Sequence, residues 1–171
     1  ATQDLKVIEQ GWEAGTGIIL VVNKWDLVEK DTYTAPDREK SMRAKAPFLK
    51  WVPILFTSAL MGQRIRKTLD LVLQVQEERH RRVDTHEVNE ALEASVRHQP
   101  PPHARGRQVK LRYGTQVSVA PPTIVIFSNF PKDIPAHYIR YIDNSLRARW
   151  GFIGTPLRIR LRKSQGKGGK A

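Results

Sequence analysis

The 171-residue sequence contains no cysteine. That removes disulfides, thiolate zinc sites, Cys-ligated iron–sulfur clusters and cysteine nucleophiles together, and it suits a reducing compartment. Long apolar runs are also missing. The longest aliphatic stretch, Ile18 to Val22, is far short of the roughly 20 residues that a membrane-crossing helix needs. The opening residues Ala-Thr-Gln-Asp-Leu-Lys carry neither the charged nor the apolar region of a secretory leader. No membrane partner is expected, and the sequence reads as soluble and cytoplasmic. The five histidines, at positions 80, 86, 98, 103 and 137, show no metal-ligand spacing on one element, so no metal site is expected.

Acidic residues are scarce. Seventeen Asp and Glu stand against 29 Lys and Arg, giving a formal net charge of +12. The excess is uneven: residues 1–84 hold 14 basic and 12 acidic side chains, residues 85–171 hold 15 and five. Such asymmetry points to two units with different partners, the second facing a polyanion such as RNA or an acidic protein surface. A hydrophobic fraction of 40% is ample for a buried core.

The first half alternates helix and strand patterns. Leu5, Ile8 and Trp12 recur at helical spacing over 4–14, and Gly15 and Gly17 mark a stop. Gly17 to Val22 is a continuous β-branched run, the pattern of a strand buried on both faces of a parallel sheet. A helix from Pro36 to about Ala46, a second buried strand over Pro53–Thr57, and a long helix marked by Ile65, Leu69, Val72, Leu73 and Gln76 follow. This order is half of a doubly wound α/β sheet.

The second half has the order α-β-β-α-β, which predicts an α+β domain with helices over one face of a three-stranded sheet. Asp84 or Thr85 can cap a helix carrying Val88, Leu92 and Val96. Gln108 to Tyr113 alternates Val109, Leu111 and Tyr113 with Lys110 and Arg112, and Pro122–Phe127 reads as a more buried strand. Ile139, Ile142, Leu146 and Trp150 share a helical face, and Leu157, Ile159 and Leu161 alternate with Arg158, Arg160 and Arg162. Domain boundaries are expected at 1–84 and 85–163, with a basic, disordered tail over 164–171. Trp12, Trp51 and Trp150 read as core residues.

The residues richest in chemistry are Asn23-Lys24-Trp25-Asp26, directly after the first strand, and Thr57-Ser58-Ala59-Leu60, directly after the second. Loops at the carboxyl ends of neighbouring parallel strands converge on one ligand site. Asp26 offers a double acceptor, which suits the ring N–H and exocyclic amine of guanine and has no counterpart on adenine.

These motifs resemble the guanine-recognition sequences Asn-Lys-x-Asp and Ser-Ala of P-loop GTPases. Val21 to Asp31, Ser58 to Gln63, Glu77 to Arg82, Pro100 to Pro102, Tyr113 to Val117, Pro121 to Thr123 and Gly151 to Pro156 together resemble the bacterial Der (EngA) family. That family has two tandem GTPase domains followed by a KH-like domain, and acts in assembly of the large ribosomal subunit. The resemblance implies the end of the second, Rossmann-like GTPase domain followed by a KH-like domain, with GTP or GDP as ligand. It also implies Mg²⁺ in the parent protein, and the ribosome, its rRNA and the other GTPase domain as partners. By the same resemblance Asn23 contacts the base edge and ties the loops, and the Lys24 stem covers the base plane. Ala59 offers its N–H to the guanine carbonyl, and Ser58 steadies the loop.

The match to the family pattern is incomplete in two places. The sequence has no Gly-x-x-x-x-Gly-Lys-[Ser/Thr] loop and no Asp-x-x-Gly, so phosphate binding and hydrolysis do not reside in these residues. No catalytic residue is expected here, and the chain reads as a fragment of a GTPase. The alternative is a standalone basic RNA-binding or adaptor module without hydrolysis. The approach to the last helix, Asn129 to Pro135, also lacks the Gly-x-x-Gly clamp of ordinary KH domains. Lys110, Arg112, Arg158, Arg160 and Arg162 would instead form a basic sheet face, for rRNA phosphates, for a neighbouring domain, or simply for solvent.

Overall fold

A computed structural model describes residues 2–29, 33–103 and 106–165. The expected tail lies mostly outside them. The chain divides into two compact units, Ala1–His80 with Phe152–Pro156, and Arg81–Gly151 with Leu157–Ala171. The second unit is thus interrupted by five residues that belong to the first.

In the first unit α1 (Thr2–Ala14), β1 (Leu20–Val22), α2 (Thr34–Arg43), β2 (Ile54–Phe56) and α3 (Ile65–His80) follow in order. β1 and β2 pair in parallel, Leu20 opposite Ile54 and Val22 opposite Phe56. The α-β-α-β-α order matches the pattern read from the sequence. Its burial differs. Val21 is exposed, because among the described residues β1 pairs with β2 alone. Likewise the apolar face of α3 is open, with Leu69 and Leu73 each more than 60% exposed, while Val75 is buried. A Cβ at Gly17 or Gly154 would lie 2.9 or 2.4 Å from Val75, so these glycines rather than the strands cover that side of the helix.

α2 ends at Arg43 rather than near Ala46, and a 3-10 segment, Pro47–Trp51, follows. Arg43 holds it. Its guanidinium donates to the carbonyls of Leu49, Lys50 and Val52 and to the Glu39 carboxylate. Leu49 and Val52 are thereby set into the core, at most 1% exposed. The segment Phe152–Pro156 packs here too. Gly154 accepts from the Ile18 N–H and donates to the Trp51 carbonyl, both at 2.7 Å.

The second unit runs α4 (Thr85–His98), β3 (Leu111–Ser118), β4 (Thr123–Ser128), a 3-10 turn (Pro131–Asp133), α5 (Ala136–Trp150) and β5 (Arg158–Lys163). The sheet order is β3-β4-β5, with β3 antiparallel and β5 parallel to the central β4. Ile124 and Ile126 of β4 are buried with Val88 and Leu92 of α4 and Tyr138, Ile142 and Leu146 of α5. Within α5 the Arg147 guanidinium meets the Asp143 carboxylate at 3.1 Å. Burial pushes the Asp143 carboxyl up, and the facing arginine only partly offsets it.

Two expectations shift here. Asp84 occupies the N-cap of α4 but its side chain makes no cap hydrogen bond, and the Thr85 hydroxyl pairs with that of Thr115 instead. β3 runs on through Gly114 rather than ending at Tyr113. A Cβ at Gly114 would lie 2.4 Å from Leu92 Cδ1, so its absence lets α4 close on the strand. The Asn89 carboxamide then bonds both the N–H and the carbonyl of Gly114, substituting for a neighbouring strand.

Candidate functional site

The two motif loops leave the carboxyl ends of β1 and β2, and the parallel ladder extends into them. Thr57 donates to the Val22 carbonyl at 2.8 Å, and Trp25 donates to the Thr57 carbonyl at 2.9 Å. Between these bonds the chain reverses at Lys24, which lies in the left-handed region at φ 59°. A 3-10 turn over Trp25–Leu27 comes next.

Trp25 anchors this turn. It is 5% exposed and packs on Phe56 with ring centroids 4.3 Å apart, and the Arg38 guanidinium lies 5.7 Å from its centroid. Sequence reading placed Trp12, Trp51 and Trp150 in the core and Trp25 at an indifferent motif position. Those three are half-buried, Trp12 stacked on Phe48, and Trp25 is the more buried. A large residue between two motif positions was the available signal.

Asn23 joins the loops. Its Oδ1 accepts the Ala59 N–H at 3.0 Å, with the Thr57 hydroxyl at 3.5 Å. This bond engages the same Ala59 donor that the resemblance assigns to a base carbonyl. Ser58 is fully buried, and its Oγ accepts from the Met61 N–H at 3.2 Å. A bridge between Ser58 and Gln63 closes the loop, and the Arg64 guanidinium donates to the Phe56 carbonyl at 3.2 Å. Asn23, Lys24 and Ala59 are exposed around this junction, and Asp26 is half-buried. Asn23 and Ala59 therefore meet at the carboxyl end of the parallel pair, beside Ser58, with Lys24 and Asp26 on the turn that follows Asn23. A crevice of about 490 Å³ in the same unit, lined by Leu5, Ile8, Leu20, Arg38 and Phe56 among others, includes neither loop.

The five basic sheet residues fall into two groups. Arg158, Arg160 and Arg162 pair across to Thr123, Val125 and Phe127, and so share one face of β5. Arg160 and Arg162 are exposed and Arg158 is half-buried. Lys110 is exposed just before β3, its N–H held by the Asn129 side chain. Arg112 sits in a β-bulge between Leu111 and Tyr113, beside a cleft with Asn89, Glu93 and Arg97. The extra residue breaks the alternation expected for this strand. Tyr113, expected to point inward with Val109, is 44% exposed. Among the described residues no group of three His, Asp or Glu side chains could hold a metal ion, and no helix is long and apolar enough to cross a membrane.

Residues 82–162 match the family model described as the KH-domain-like, C-terminal region of EngA bacterial GTPase enzymes. Over 94% of its length the chain is 55% identical to the GTPase Der of Gemmatimonas aurantiaca. The chain belongs to the Der (EngA) family. It is also 46% identical over 92% of its length to the GTPase Der of Rippkaea orientalis, and 43% identical over 98% to that of Desulforamulus reducens. It spans 37%, 35% and 38% of the length of these three relatives. Its mixed architecture, a parallel two-stranded sheet and a KH-like three-stranded one, is that of the end of a Der GTPase domain followed by the KH-like domain.

Proposed function

We propose that residues 1–84 form the base-recognising end of a guanine-nucleotide site, and that residues 85–163 form an RNA-facing KH-like domain with a basic tail over 164–171. The parent protein would be a cytoplasmic GTPase acting in assembly of the large ribosomal subunit. The observation that carries the first part is the Asn23–Ala59 hydrogen bond, which couples the two motif loops at the ends of adjacent parallel strands. With the loops joined, a base held by Asp26 lies within reach of both.

In this reading Asp26 selects guanine by accepting from its ring N–H and its amine, and the Lys24 stem covers the base. Asn23 sets the distance between loops, and Ser58 keeps the second loop closed. Ala59 would share its N–H between Asn23 and the base carbonyl. Phosphate and Mg²⁺ contacts belong to parts of the parent outside this sequence, and no hydrolytic step is assigned to this chain. Arg158, Arg160 and Arg162, with Lys110 and Arg112, would meet rRNA phosphates.

The test is Asp26→Asn in the full-length protein. An amide replaces one acceptor by a donor, so guanine nucleotide affinity should fall by tenfold or more, while xanthine nucleotides, which carry a carbonyl in place of the amine, should gain. Unchanged GTP affinity would remove Asp26 from the site.

A further inference from the structure

The register of the second sheet places three side chains in a row that no sequence pattern announces. Tyr113 of β3 pairs with Phe127 of β4, and Phe127 pairs with Arg162 of β5. Directly paired residues project to the same face, so this row crosses the whole sheet. It is on the side of β3 away from the Gly114 contact with Leu92 and Val88 of α4, and α4 borders it at the strand's edge, where Thr85 meets Thr115 and Tyr113 joins the cleft of Asn89 and Glu93. The rings of Tyr113 and Phe127 stand 5.9 Å apart at 38°. Tyr113 is 44% exposed, Phe127 is half-buried and Arg162 is exposed. In the next row, Thr115, Val125 and Arg160, the central Val125 is 2% exposed, so the accessible part of this face ends at the ring row, with Arg160 exposed at its side. Arg112 occupies the bulge beside Tyr113.

Arginines alone would serve any polyanion. Two neighbouring aromatic rings at the accessible end of a sheet face, with Arg112 on one outer strand and Arg160 and Arg162 on the other, suit a ligand that has phosphates and flat apolar surfaces together. Single-stranded RNA has both: its unstacked bases lie on aromatic rings while its backbone tracks basic side chains. In a duplex the base faces are covered. The charge balance of residues 85–171, 15 basic against five acidic, supplies the attraction.

We infer that the Tyr113–Phe127–Arg162 row is a stacking platform for the bases of single-stranded RNA, with Arg160 holding the backbone alongside. This rests on the reading of the arginine face as RNA-binding and adds to it the form of RNA and the residues that distinguish it.

The whole 171-residue chain should be titrated, by fluorescence anisotropy, with a labelled uridine-rich decamer, an abasic chain of the same charge and a duplex of the same length. Single-stranded RNA should bind about tenfold more tightly than the abasic chain. Tyr113→Ser should erase most of that ratio and leave abasic binding unchanged, Tyr113→Trp should preserve it, and Arg160→Ser with Arg162→Ser should weaken both ligands and flatten the salt dependence. Phe127→Leu, with its fold checked by circular dichroism, should lower the ratio as well. A ratio unmoved by Tyr113→Ser overturns the platform while leaving the basic face standing. Binding of both ligands unmoved by the arginine changes overturns the basic face itself. Equal affinity for duplex and single strand, or no binding to any of the three, also overturns the platform, the last outcome pointing to a protein partner for this face.

Discussion

Gly154 offers the sharpest test of how the first unit is held together. It lies at φ +70°, and a Cβ built there would meet Val75 Cγ2 at 2.4 Å and the Ile18 carbonyl oxygen at 3.0 Å. Gly154→Ala therefore adds two costs. Holding an alanine in the left-handed region costs about 1 kcal/mol relative to glycine. Forcing a methyl against the stiff, buried Val75 on α3 and against backbone costs roughly 1–3 kcal/mol more, the usual range for overpacking. The expected loss is about 2–4 kcal/mol, a large share of the roughly 5–15 kcal/mol available to a small folded unit. Urea unfolding followed by tryptophan fluorescence should report it, since Trp12, Trp25 and Trp51 belong to this unit. With a slope of about 1–2 kcal/mol per molar, the midpoint should fall by roughly 2 M. Val75→Ala in the same background removes the clash but not the backbone cost, so the double variant should recover about 1 kcal/mol or more relative to additivity. A loss below about 1 kcal/mol for Gly154→Ala, or strict additivity with Val75→Ala, would refute the close packing of this segment against α3.

Arg43→Ala should destabilise the first unit by about 2 kcal/mol, because its charged hydrogen bonds to three carbonyls and Glu39 tie α2 to the 3-10 segment; Arg43→Lys should recover little, since an ammonium cannot span that fork. Thermal melts of the two variants distinguish this from a merely exposed ion pair, which predicts near-neutral changes in both. In the second unit burial, and secondarily Tyr141, raises the Tyr138 phenol to about 12. Its folded value lies above the unfolded one near 10, so the stability it contributes is complete below about pH 10 and is lost as pH climbs toward 12. Tyr138→Phe should flatten that alkaline fall in circular-dichroism melts, and an unchanged fall would assign it to another group.

The element order of both units and the place of the motif loops are legible in one dimension. Helical spacing in Leu5, Ile8 and Trp12, the β-branched runs before Asn23 and Thr57, and the stop at Gly151 are local signals, and local signals need no partner to be read. Absent chemistry is equally plain, since no folding supplies a phosphate loop that is not written. The charge of Arg158, Arg160 and Arg162 and their common side of one strand could also be read directly, because alternation is a property of a single strand.

Facts about pairing lay beyond such signals. Tyr113 reads as a core residue in the alternation that starts at Val109, and only the bulge at Arg112 turns it to the outer face, where the β4 register sets it beside Phe127. Leu69 and Leu73 read as a buried stripe, yet burial depends on what is packed opposite, and two short strands do not reach them. Trp25 sits at a motif position open to any residue, and its anchoring role comes from Phe56, 31 positions away. The Ala59 N–H turns to Asn23 because parallel pairing of β1 with β2 carries both loops to one end of the sheet. Register, bulges and the partner of each face are long-range choices fixed by the whole set of contacts at once, so periodicity along one segment cannot encode them.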